Sequence, residues 1–256
     1  MRAIAIMNNK GGVGKTVTAI NLADILVRRY YNRVILADCG GQVNLSRFYL
    51  PEVVPAVNYS MASLLMGDGE PVWEDNLVPL EPGLNLVPGT PDLYNLDLDA
   101  IKDGVSAPEN VRNFVDCVRE DDGADFFIFD CPPGFTTASV GALMAADEVV
   151  IPMLVDGFSF AGTQDMAQQI SNLRRANQGV RIAGVLITQW HNGDVVRQGE
   201  QLLRSMGVPV FQQTIRRTDK VPESTFDRQP IVQYSPGSAA SQDYRKWVAE
   251  YIGREG

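Results

Sequence analysis

The sequence predicts an α/β fold: a doubly wound, mostly parallel sheet flanked by helices. Three observations predict it. Short apolar runs alternate along the chain with segments of helical period, the order that strands and crossover helices follow in parallel sheets. A glycine-rich turn lies between the first apolar run and the first helical segment. Two of the apolar runs end in aspartate, which in a parallel sheet puts carboxylates at the edge where ligands bind.

Residues 3–7, 34–37, 126–129, 149–151 and 182–187 are the expected strands, each a short apolar run suited to burial on both faces. Residues 84–87 and 208–211 are weaker candidates. Residues 16–28 form a helix in this reading, with Ile20, Ala23 and Val27 on one stripe. Pro108 stands where a first helical turn tolerates proline. Val111, Phe114, Val115 and Val118 then recur at i, i+3, i+4 and i+7. Near the end, Ser238 can cap a helix carrying Tyr244, Trp247, Val248 and Tyr251 on one face. Residues 51–91 are rich in Pro, Gly and Asp and are expected to hold short helices and a strand. Residues 214–236 are polar and lack clear periodicity. There is no internal repeat, low-complexity tract or linker, so residues 1–256 are expected to form one domain.

A chain of 256 residues is long enough for a substantial core, and 45% hydrophobic with 21% charged residues suits a globular protein. The net charge of −9 excludes a wholly basic nucleic-acid surface but not a local basic patch. Cys39, Cys117 and Cys131 are odd in number and have no C-x-x-C spacing, which points to reduced thiols in the cytoplasm. The first residues are too short for a signal peptide and run into the glycine-rich turn, so they are expected to stay as a strand. No apolar run approaches the roughly 18 residues a membrane span needs.

The turn reads Asn9-Lys10-Gly11-Gly12-Val13-Gly14-Lys15-Thr16-Val17. Between a strand and a helix this is a P-loop, lacking only the usual first glycine, where Asn9 stands. Its glycines let backbone N–H groups from Lys10 to Val17 turn toward the phosphates of ATP, and the helix dipole adds positive potential. Lys15 can reach the β- and γ-phosphates and the Thr16 hydroxyl can ligate Mg²⁺. Asp130 ends a strand and can hold Mg²⁺ through water, or simply cap a turn. Asp38, ending another strand, is a second candidate for the metal's outer shell.

Together these segments resemble the ParA/MinD group of P-loop ATPases with a deviant phosphate loop. The extra lysine of Lys10-Gly11-Gly12-Val13-Gly14-Lys15-Thr16 is a specific signal, and the resemblance covers nearly the whole chain. Asp38, Gln42 and Asn44 resemble the first switch, Leu86 to Leu93 the middle strand and turn, and Phe127 to Pro133 the second switch. Val150 to Asp156 with Gly162 resembles the next strand and loop, and Ile215 to Lys220 with the helix after Ser238 the partition-ATPase end of the group. The resemblance implies a nucleotide-sandwich homodimer in which Lys10 reaches the partner's ATP. Lys10, Lys15 and Asp38 are then the catalytic candidates. It places adenine recognition near Thr188, Gln189 and residues 214–222, and it implies a ParB-like adaptor.

One position departs from the group. The second acidic residue of its first switch is Gly40 here, which has no acceptor to orient an attacking water. ATP binding is therefore expected with weak or absent hydrolysis. Arg216, Arg217 and Lys220 form a basic cluster that could contact DNA phosphates without reading sequence, which would make the protein nucleoid-associated. The alternatives are a MinD-like membrane ATPase, a reductase with a cluster on Cys39 and Cys131, and a P-loop synthetase. The mixed charge of the C-terminal helix suits packing rather than a membrane surface. His191, the only histidine, is expected in a loop or at a strand end.

Overall fold

Strand residues of this chain sort by parity. Ala3 and Ala5 belong to one hydrophobic cluster, and Ile4 and Ile6 to the other. Ile35 and Ala37 are divided from Val34 and Leu36 in the same way, and Phe127 and Phe129 from Phe126 and Ile128. Successive side chains of a strand point to opposite faces, and here both sets are buried, so both faces need a cover of helices.

The computed structural model describes residues 1–51, 59–68, 72–103, 108–155 and 177–253. Asp156 and Gly162, both singled out in the sequence, lie outside them. The strands are β1 (Arg2–Ile6), β2 (Val34–Asp38), β3 (Val78–Glu81), β4 (Leu84–Val87), β5 (Phe126–Asp130), β6 (Glu148–Met153) and β7 (Arg181–Ile187). They form one sheet in the order β3-β4-β2-β5-β1-β6-β7. Every neighbouring pair is parallel except β3 with β4. The α/β, doubly wound architecture is the one expected.

One face is covered by α1 (Lys15–Tyr30), α2 (Asn44–Tyr49), the short α9 (Ile231–Tyr234) and α10 (Ala239–Gly253). The other carries α3 (Met61–Met66), α4 (Asp92–Asp103), α5 (Glu109–Glu120), α6 (Thr137–Ala145) and α7 (Asp194–Ser205). In α5 the buried residues are Val111, Phe114, Val115 and Val118, the four with helical spacing. Ser238 caps α10 by accepting the Ser241 N–H at 3.3 Å.

Two expectations need correction, and one strand lies where none was singled out. Residues 208–211 form no strand; Val210 makes one isolated bridge to Val185, because Pro209 has no N–H for a ladder. Residues 78–81 are an edge strand that the sequence hid. Pro79 interrupts its pattern, and only the Pro82-Gly83 turn, with Gly83 at φ 85°, signals the hairpin. Residues 214–236 are not irregular but hold α8 (Lys220–Phe226) and α9. Helices of seven and four residues are too short to show a period.

Candidate functional site

The glycine-rich turn leaves β1 and wraps into α1. Gly12 and Gly14 sit at φ 73° and 85°, left-handed conformations that only glycine adopts without strain. Gly14 is the cap residue of α1, so the helix opens at Lys15 with its free amides facing the turn. The rest of the fold grips the loop from behind. The Thr188 hydroxyl donates to the Val13 carbonyl at 2.8 Å, the Gln189 amide to the Gly12 carbonyl at 2.9 Å, and the Asn8 amide to the Pro152 carbonyl at 2.7 Å. Lys15 is buried and donates from Nζ to the carbonyls of Asn8 (3.0 Å) and Lys10 (2.9 Å). Burial lowers its pKa, against the opposing pull of Asp130 and Cys131.

Asp38 and Asp130 end neighbouring parallel strands in register. The Thr16 hydroxyl donates to Asp130 Oδ2 at 2.7 Å. Asp130 Oδ1 is buried and has no hydrogen-bond partner among the described residues. Burial and the nearby Asp38 raise the Asp130 carboxyl to about 7, although Thr16 and Lys15 favour its charged form. A buried carboxylate oxygen without a donor is costly, and a bound cation removes that cost. A hydroxyl beside a carboxylate is an oxygen donor set suited to Mg²⁺. Thr16 and Asp130 therefore fit the metal that the P-loop implies.

Asp38 is placed differently. Its Oδ2 accepts the Ser46 N–H (2.8 Å) and hydroxyl (2.7 Å), and its Oδ1 accepts the Gly40 N–H (3.0 Å). Its charge thus sits at the start of α2, whose own cap residue Val43 offers no side-chain cap. Burial raises the Asp38 pKa and these donors oppose it. Asp38 is the strap that holds residues 40–46, with Ser46 as the partner sequence reading missed. Val43, a β-branched residue, lies within that strap at φ 53°. A Cβ added at Gly40 would meet Asp38 Oδ1 at 3.4 Å and Pro132 Cβ at 3.9 Å, both ordinary contacts.

These groups line a cavity of about 800 Å³. Its lining includes the loop, residues 38–44 and 130–133, Thr188, Gln189 and a wall of Ile215 to Asp219, Val221, Pro222 and Tyr244. Of the three basic residues grouped in the sequence, Arg216 and Arg217 belong to this wall and Lys220 does not, and the Arg216 guanidinium is bound to Asp243 at 2.7 and 2.8 Å. Arg217 and Lys220 are exposed, and Lys220 Nζ pairs with Glu223 at 2.7 Å. Cys39 and Cys131 are buried beside each other, and burial pushes the Cys39 thiol up. His191 is exposed in a loop, and the Trp73 and Trp190 indoles donate to Asp121 and Glu200, both at 2.9 Å. Nothing local in the sequence signalled Tyr244 as a cavity residue or Asp243 as the partner of Arg216, because both lie there in a packing helix.

Comparison with known proteins covers the same ground. A sequence-family model described as an AAA domain matches residues 1–182. The chain is 30% identical over 257 residues to the chromosome-partitioning ATPase Soj of Thermus thermophilus, covering 99% of this chain and 96% of Soj. It is 30% identical over 260 residues to the chromosome partitioning protein ParA of Caulobacter vibrioides, covering 100% and 95%. A crystal structure of cobyrinic acid a,c-diamide synthase from Mycobacterium smegmatis with an ATP analogue and magnesium superposes with a TM-score of 0.80. It covers 97% of this chain and 93% of that one at 24% identity, a likeness of fold.

Proposed function

The chain belongs to the ParA/Soj/MinD family of ATPases, and from that premise we propose that it is an ATP-dependent dimerisation switch for segregating DNA. The DNA would be a plasmid, a chromosome or a mobile element. The observation that carries the reading is the phosphate loop with its second lysine, opposite the unsatisfied oxygen of Asp130. Amides of residues 11–17 bind the triphosphate, and Lys15, held by two loop carbonyls, adds charge at its inner end. Thr16 and Asp130 hold magnesium, which when bound neutralises phosphate charge. Lys10 reaches toward the partner protomer's nucleotide, so that triphosphate and dimer favour each other.

Asp38 acts by holding the first switch rather than by touching the metal, as its bonds to Ser46 and Gly40 indicate. With Gly40 in that switch no carboxylate orients water, and turnover is weak. The ATP-bound dimer binds DNA without sequence preference through Arg217 and Lys220, works inside the cell, and is recruited by a ParB-like adaptor. The membrane alternative is disfavoured by α10, whose Tyr244, Trp247, Val248 and Tyr251 are buried. Among the described residues no helix is long and apolar enough to cross a membrane.

Size-exclusion chromatography with Mg·ATP, Mg·ADP and no nucleotide tests the switch. A dimer with ATP alone is expected. A monomer in all three conditions leaves only a nucleotide binder.

A further inference from the structure

Past β7 the chain pairs Trp190 with Arg216 in an isolated parallel bridge. On that side the Ile215 N–H donates to the Ile187 carbonyl, the Trp190 N–H to the Ile215 carbonyl and the Arg217 N–H to the Trp190 carbonyl, at 2.8, 2.9 and 2.8 Å. Alternate residues of an extended segment face opposite ways, so the Arg216 N–H points outward. No further strand lies there among the described residues. A backbone donor so placed needs an acceptor.

Helix α10 supplies it with side chains. Asp243 Oδ2 accepts the Arg216 N–H at 3.0 Å and its Nε at 2.7 Å, while Oδ1 accepts Nη2 at 2.8 Å. Asp243 is only 2% exposed, and a buried carboxylate held by three donors of one residue fixes both its main chain and its side chain. Two turns along the same helix, Glu250 accepts the amides of Gln212 (2.8 Å) and Gln213 (2.9 Å). The two acids run along residues 212–216 in place of another strand. The next residue, Tyr244, meets Thr18 of α1 at 3.3 Å between hydroxyls. Consecutive residues of α10 thus brace the 215–222 wall and the helix of the phosphate loop.

That wall has the composition a flat heterocycle needs. Ile215, Val221, Pro222 and Tyr244 are apolar or aromatic, and Arg216 adds a guanidinium plane. The triphosphate belongs at residues 11–17, so the wall is left for the base. We propose that Asp243 is a positioning residue for nucleotide binding. By clamping Arg216 it sets the wall against which the base lies, and so makes the site prefer a nucleoside triphosphate to a bare triphosphate. The inference rests on reading this cavity as an ATP site.

The test is calorimetric titration of Mg·ATP and Mg·tripolyphosphate into wild type, Asp243→Asn and Arg216→Gln. Arg216→Gln opens the same clamp from a half-exposed position and keeps the test valid if Asp243→Asn does not fold. Both variants are expected to bind ATP about tenfold more weakly, with tripolyphosphate unchanged. Equal losses on both ligands, or unchanged ATP affinity, overturn the proposal. A loss in Arg216→Gln but not in a folded Asp243→Asn also overturns it, since Arg216 then acts alone. Wild type that binds neither ligand refutes the ATP site itself, a result distinct from the others.

Discussion

At Asp130, burial and the neighbouring Asp38 act in the same direction, and both disfavour charge. An acid whose pKa is raised on folding binds its proton more tightly folded than unfolded. In metal-free protein its contribution to stability is therefore intact below the ordinary 3.8, declines as pH rises, and is fully lost above about 7. Asp130→Asn removes that dependence. The variant is expected to be more stable than wild type near about pH 8, and the gap should close toward about pH 4. Urea denaturation across that range measures it, and a gap that is flat with pH contradicts the assignment. Gly40 is a second residue-scale case. The contacts at 3.4 and 3.9 Å leave room for a side chain, and Gly40 is not among the glycines with positive φ. Gly40→Asp is expected to raise ATP turnover by about 100-fold, the range of a positioned acceptor for water. A phosphate-release assay beside the unaltered chain decides it, and equal brisk rates remove the inference drawn from Gly40.

Helix α10 is the element on which core and site both depend. Trp247 is fully buried, edge-on to Phe211 at 5.7 Å and stacked on Tyr251 at 6.2 Å. Trp247→Ala is expected to cost about 3–5 kcal/mol through lost contacts and the cavity left behind. Trp247→Phe should cost much less, since the indole N–H is buried without a partner among the described residues and its loss carries no penalty. Chemical denaturation of both variants gives the comparison, and an alanine variant as stable as wild type contradicts this packing. The four aromatic and apolar positions of α10 were legible in the sequence by their spacing. Its acidic positions were not, because a helical period reports which residues are buried and not what an acid among them binds.

Across the whole molecule, a net charge of −9 opposes DNA, and only local exposed cations can contact it. With Arg216 committed to Asp243, Arg217 and Lys220 remain of the expected cluster. A dimer would present four such contacts, giving a slope of log affinity on log salt of about −4. Gel shifts with Mg·ATP at several salt concentrations test this. The double variant Arg217→Ala with Lys220→Ala is expected to lose the shift, and a shift that survives in it places the DNA surface elsewhere.

The sequence by itself determined the α/β class, the phosphate loop, the two strand-ending aspartates and the stripes of α5 and α10. Each is a property of contiguous residues: a glycine that must take positive φ, an apolar run, a spacing that closes on a helical turn. Only the tertiary structure decided what each aspartate binds within the chain. Asp38 and Asp130 look alike in the chain, but α2 starts beside the first and Thr16 lies beside the second. It likewise paired Arg216 with a buried acid, which arrives from a helix distant in sequence. Partners of this kind are set by the order of strands and the helices packed on them, and no local pattern encodes that order.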